Sequence, residues 1–263
     1  AKGVAYMRSL GVRYFMGYTP EAIAQADKQP TLHQVAVSGP WHIYEIVDTT
    51  LVEPLTVRPV VVNERPGDRR ERWLEIGSSY FQHANEWSAL PVDHGPADWQ
   101  RIDVAVDLTR RVGTAKDPGR QVDIVQASTK TPIKQVALPT VKVSDVKQGR
   151  ESISFTVDKI GVPVLVKVSY FPNWTVKGAS GVYRAAPNMM VVVPTSKSVR
   201  MSYEPSRLDN SAYLFTLIGI VCVVFMFRRR FRYGTAMPPR INDDFIDSNE
   251  PSATATSDAD SLN

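Results

Sequence analysis

The sequence predicts an α+β, mostly β protein: a small α+β unit, then a β-sandwich, then one C-terminal transmembrane helix and a disordered tail. Three observations carry this. Residues 122–203 alternate apolar and polar with a period of two, in short runs separated by turn residues, which is the pattern of a sandwich. Residues 1–106 mix helix signals with several strand-like runs, which indicates a small α+β unit. Residues 211–227 carry no charge and are followed by four arginines in five positions.

In chain order, residues 3–10 begin as a short helix and run into a strand at 11–18, rich in the β-favouring Val12, Tyr14 and Phe15. Thr19-Pro20-Glu21 is a helix start, with Thr as cap, Pro at the first helical position and an acid in the first turn. Strand-like runs follow at 32–37, 41–47 and 59–63. Residues 68–82 read as an amphipathic helix with Trp73, Ile76 and Tyr80 at helical spacing. A strand at 102–106 closes the unit. Residues 107–121 are polar, with Gly113 and a Pro118-Gly119 turn, and read as a linker or a long hairpin loop. In the second unit, 122–210, strands are expected at 122–126, 133–136, 140–143, 151–156, 164–170, 174–177, 189–193 and 198–203.

Seventeen uncharged residues at 211–227 span roughly 25 Å as a helix, close to the ~30 Å hydrocarbon core of a bilayer. A buried core helix would keep a polar face, and this run has none. Arg228, Arg229, Arg230 and Arg232 set the topology: the positive flank places 228–263 in the cytoplasm and 1–210 outside. The chain opens AKGVAYMRSLGVRYF, without an initiator Met or an apolar leader, so export is expected to be directed from upstream, by a removed signal peptide or by earlier transmembrane helices.

Hydrophobic residues make up 43% and charged residues 22%, an ordinary globular balance. The formal net charge of +4 is uneven: residues 228–232 carry +4 and residues 233–263 carry −5. The pI of about 9.1 therefore reflects a membrane flank and not a basic stripe, and nucleic acid is excluded as a partner. The tail has too little apolar surface to fold alone. The single cysteine, Cys222, falls in the apolar run, so no disulfide forms within the chain and no cysteine-based metal site exists. An exported domain without disulfides points to a bacterial plasma membrane.

The block VPVLVKVSYFPNWTVKGASG…APNMMVVVPTSKSVRMSYEP, followed at once by an apolar helix, resembles the C-terminal end of the YfhO-like bacterial membrane proteins, which are related to the GT-C type glycosyltransferases. The matching residues are Tyr170, Phe171, Pro172, Trp174, Met190 and Tyr203. Leu10-Gly11-Val12-Arg13-Tyr14 and Tyr44-Glu45 are similar to segments at the start of the same region. Asn173 stands where the family has Gly, Ile46 where it tends to have Asn, and Gly178–Gly181 where it has an Asp-Gly turn. Residues 64–149 match nothing in it. The resemblance implies a polytopic glycosyltransferase-like protein of the cell envelope, using a polyprenyl-phosphate-linked sugar on the outer membrane face. The family's catalytic acid lies in a region outside this chain, so no catalytic residue is carried over.

No dinucleotide, phosphate-loop, zinc-peptidase or EF-hand pattern occurs, and no cofactor is expected. Gly178-Ala179-Ser180-Gly181 lies between two strands and reads as a hairpin turn, not a nucleophile elbow. His83, Asp93, His94 and Asp98 are close in sequence, but their spacing fits no helical or strand face, so no metal site is assigned. Asn173-Trp174-Thr175 fits the glycosylation pattern, although a Trp between strands suits packing better. Tyr170, Trp174, Tyr183 and Arg184 are glycan-binding candidates: aromatic faces stack on sugar C–H groups and a guanidinium binds anionic oxygens. Large aromatics dominate core and interface energetics in any case, so for Tyr170 and Trp174 a role in filling the sandwich core or seating it on the membrane domain is favoured over glycan binding.

Overall fold

A computed structural model describes residues 2–63, 69–83, 87–114 and 117–232, and the chain divides into two units, Ala1–Ser206 and Arg207–Asn263. It is an α+β protein, mostly β. Helix α1 (Lys2–Ser9) leads to strand β1 (Tyr14–Gly17), helix α2 (Pro20–Asp27) and the hairpin of β2 (Leu32–Ser38) and β3 (Trp41–Ile46). β3 lies between β1 and β2 in an antiparallel sheet. α2 starts where the sequence predicts: the Thr19 hydroxyl accepts the Ala22 N–H at 3.2 Å, and Pro20 opens the helix. Val4, Ala26, Leu32, Tyr44 and Ile46 bury one face of this sheet beneath the two helices.

Strands β4 (Val52–Pro54) and β5 (Val60–Val62), helix α3 (Arg69–Gln82), and the short strands β6 (Pro91–Val92) and β7 (Arg101–Ile102) come next. After them stand β8 (Val104–Thr114), β9 (Asp117–Thr129), β10 (Val143–Gln148) and β11 (Ser152–Val157). The series closes with β12 (Val164–Val166), β13 (Trp174–Lys177), β14 (Ala179–Ala185), β15 (Met189–Pro194) and β16 (Ser198–Tyr203).

A four-stranded sheet in the order β10-β11-β16-β13 faces a seven-stranded sheet in the order β4-β12-β15-β14-β6-β5-β7. Ile153, Phe155, Val157, Val199 and Met201 from the first sheet meet Val52, Val164, Val166, Met190 and Val192 from the second. These ten side chains are at most 3% exposed and form the sandwich core that the period-two pattern predicts. On the same side of the longer sheet, α3 sets Trp73 and Ile76 against Val60, Val62 and Ile102. The opposite face collects Val61, Val92, Trp99, Ala185 and Val191.

Three expectations change. The parts on either side of a 107–121 linker are not separate, because β4 pairs with β12 and β6 pairs with β14 within one sheet. Strands of two or three residues cannot close a sheet among themselves, and the later strands complete theirs. Of the two readings of 107–121, the linker does not hold and the hairpin is the nearer one, although its described residues form strands and not a loop. Its described residues are laddered in the β8–β9 hairpin, from Val104↔Thr129 to Thr114↔Asp117. Ladder hydrogen bonds need no apolar side chains, so a polar composition concealed the pairing. Finally, residues 133–136 form no strand and 140–143 do so only at Val143, while β14 occupies a stretch read as turn.

Gly178 explains that last miss. It takes φ +79 between β13, which pairs with β16, and β14, which pairs with β15, so the chain changes sheets there and makes no hairpin. The second unit is helix α4 (Arg207–Arg232). Its stretch Ser211–Arg229, 19 residues with mean hydropathy 2.0, is long and apolar enough to cross a membrane. The Thr216 hydroxyl donates to the Ala212 carbonyl at 2.9 Å, which satisfies the one hydroxyl in mid-span. Arg228 and Arg229 are exposed at its end. The side chains of Arg230 and Arg232, and the acidic tail 233–263, lie outside the described residues.

Candidate functional site

The four aromatic and basic candidates do not form one cluster. Strand alternation separates neighbours in sequence: Arg184 pairs with Met190 and faces the sandwich side, whereas Tyr183 pairs with Val191 and faces the other way. Tyr183 packs against Trp99, with ring centroids 5.4 Å apart, and edge-on to His94 at 5.1 Å. Trp174 belongs to the four-stranded sheet, where it meets Tyr203 edge-on at 5.6 Å and borders the sandwich core. Tyr170 and Arg184 are the two that come together.

Arg184 sits where the cover provided by α3 adjoins the sandwich. Its guanidinium carbon lies 5.2 Å from the Trp73 ring and 5.8 Å from the Tyr170 ring. Nε donates to Asn188 Oδ1 at 2.8 Å, which fixes the plane of the fork. The Tyr170 N–H donates to the Asn188 carbonyl at 2.9 Å, so one turn residue holds both partners. Asp93 completes the node. Its Oδ1 accepts the Arg184 N–H at 3.0 Å, and the Asp93 N–H donates to the Arg184 carbonyl at 2.9 Å.

The electrostatics follow from burial. Burial pushes the Asp93 carboxyl up from its ordinary value, against the opposing pull of His94 and the backbone N–H bonds. Burial lowers Arg184, which the nearby Asp93 and Tyr170 partly offset. Tyr170 is raised by burial first and by the Asp93 charge second. A half-exposed guanidinium with its fork fixed by Asn188 suits an anionic or polar oxygen arriving from solvent.

The residues weighed as metal ligands take other roles. Asp93 and His94 bond to each other, and Asp98 pairs with Arg58 at 3.1 Å. Among the described residues no group of three or more His, Cys, Asp or Glu is arranged to hold a metal.

A second feature escaped the sequence. A cavity of about 250 Å³ opens between α1, the C-terminal end of α3 and the seven-stranded sheet. Leu55, Leu90, Leu165 and Met189 line it together with Tyr80, Glu53 and Lys167. The Lys167 side chain is 6% exposed, and its Nζ lies 2.6 Å from Glu53 Oε2. Only the apolar character of 164–166 was visible in the sequence, since Glu53 meets Lys167 through the β4–β12 pairing.

Comparison with known protein families, with curated proteins and with solved structures finds no match to this chain.

Proposed function

We propose that this chain is the extracytoplasmic accessory region and last helix of a polytopic, glycosyltransferase-like protein of the bacterial cell envelope, acting by binding and not by catalysis. Its partners would be the lipid bilayer, upstream transmembrane helices of the same protein, and a polyprenyl-linked sugar or cell-wall glycan. The observation that carries the reading is the join between the two units. The last strand of a β-rich unit ends at Tyr203, and the apolar helix α4 begins at Arg207 with its span side chains exposed. Such a surface needs lipid or other apolar helices around it. The arginine-rich end supports a cytoplasmic C-terminus, and the Tyr170–Tyr203 resemblance supports the glycosyltransferase-like parent. The node of Arg184 and Tyr170 suits the phosphate or hydroxyls of such a ligand.

A single-pass surface protein, a non-enzymatic binding module anchored by α4, is favoured by a different observation. Ala1–Ser206 forms one compact unit that precedes α4 in the chain, the order of a domain carried on one anchor. Two measurements separate the readings. In a Cys222→Ser background of the intact gene product, Lys197→Cys is expected to react with an impermeant maleimide in whole cells. Ser248→Cys is expected to react only after lysis, and the reverse pattern overturns the topology. Protease treatment of spheroplasts then leaves several protected fragments from a polytopic parent and a single α4 fragment from a single-pass protein.

A further inference from the structure

The cavity beside α1 is walled largely by apolar groups, with Glu53, Lys167 and Tyr80 among the polar residues that line it. Glu53 and Leu165 are cross-strand partners, so both project from the same face of the sheet, and Lys167 follows on that face. Lys167 Nζ donates to Glu53 and, at 3.0 Å, to the Arg8 carbonyl at the end of α1. Glu53 is half-exposed at the cavity edge, and its second oxygen has no partner among the described residues. The Tyr80 hydroxyl likewise has none, and burial together with the Glu53 charge holds its pKa above the ordinary tyrosine value. The rings of Tyr6 and Phe81, 4.8 Å apart and 36% and 38% exposed, stand at the mouth. Apolar walls with a few convergent polar groups are the usual make-up of a small-molecule site.

We infer that this cavity binds one uncharged, polyhydroxylated ring of hexose size. Its volume of about 250 Å³ falls just below the roughly 300–1,000 Å³ of pockets for drug-sized ligands, which limits it to a single ring. The ion pair excludes charged ligands: an anion would compete with Glu53 for Lys167, and a cation would compete with Lys167 for Glu53. An uncharged ring leaves the pair intact. One ring hydroxyl donates to the free Glu53 oxygen, another accepts from the Tyr80 hydroxyl, and the C–H face lies against aromatic surface at Tyr80 and Phe81. The site is distinct from the Arg184 node and independent of the membrane reading, since all its residues belong to the first unit.

The test uses the full chain in phosphatidylcholine nanodiscs, which avoids detergents with sugar headgroups. Glucose, galactose, N-acetylglucosamine and myo-inositol are offered at millimolar concentration, with cyclohexanol as the ring without the polyol, and saturation-transfer NMR reads binding. Transfer to the ring C–H protons of at least one polyol is expected. Glu53→Gln is expected to weaken it about tenfold or more through loss of a charged acceptor, and Tyr80→Phe about fivefold. Because Glu53→Gln also unpairs a buried lysine, Tyr80→Phe with an unchanged melting temperature is the decisive variant. No transfer from any polyol, equal transfer in Tyr80→Phe, or cyclohexanol binding as tightly as the polyols overturns the proposal.

Discussion

The Tyr44 hydroxyl donates to Asp27 at 2.7 Å, tying the central strand of the N-terminal sheet to the last residue of α2. Burial, then this bond and the Asp27 charge, push the Tyr44 pKa from 10.0 up to about 12. Ionisation is thus harder in the folded chain than in the unfolded one. The resulting stabilisation is fully present below pH 10.0 and is lost as pH rises towards about 12. Denaturant midpoints measured across that window are expected to fall in the parent protein and to fall less steeply in Tyr44→Phe. Tyr80 and Tyr170, also raised, account for the remaining slope.

Arg184 owes its position to planarity as well as charge. Lysine at this site keeps the charge but loses the bond from Nε to Asn188 and the flat contact with Trp73 and Tyr170. Arg184→Lys is expected to cost about 1 kcal/mol in urea denaturation, the scale of one partly desolvated cation–π contact. Binding of a polyprenyl-phosphate sugar is expected to fall in Arg184→Ala and Tyr170→Ala and to be unchanged in Tyr183→Phe. Equal losses in all three would mean that Tyr183 acts with Arg184 and Tyr170 as one site despite facing the other way.

What the sequence reveals is what local chemistry decides. The cap at Thr19, the strands at 174–177 and 198–203 and the uncharged helix are all legible because a few consecutive residues determine them. The shared sheet is not legible, because β4 meets β12 through pairings of distant segments that no short window contains. The same holds for the site. Arg184 and Tyr170 were visible as residue types, but the Trp73 that stacks on Arg184 and the Asp93 that accepts its N–H, 91 positions earlier, are brought there by the tertiary fold. The role of Asp93, to which the sequence assigns no metal site, is hidden for the same reason: its backbone partner lies 91 positions away.

Asp93 itself gives a prediction with a definite sign. Its folded pKa is raised, so the folded chain binds more protons than the unfolded one above the ordinary carboxylate range, and stability falls as pH rises through the folded value. Asn at this position removes the buried charge while its Oδ1 still accepts the Arg184 N–H. Melting temperatures recorded from pH 4 to pH 7 are expected to decline less in Asp93→Asn than in the parent. At pH 7 the variant is expected to be at least as stable. A variant clearly less stable at pH 7 would mean that the bond with His94 outweighs the cost of burial.

Two glycines of similar backbone conformation separate the cost of a left-handed residue from the cost of a collision. Gly39, in the turn between β2 and β3, has φ +56 and open space around the position of a Cβ. Gly178 has φ +79, but a Cβ there would collide with the Ser198 carbonyl oxygen, a backbone atom at the start of β16. Gly39→Ala is therefore expected to cost only the left-handed penalty of about 1 kcal/mol. Gly178→Ala adds a clash that only a shift of β16 relieves, and β16 pairs with both β11 and β13. Its cost is expected to exceed about 3 kcal/mol, in the range reserved for disruption of a packed core. Urea denaturation of the two variants measures the difference, and similar midpoints would show that the chain can change sheets without this close approach.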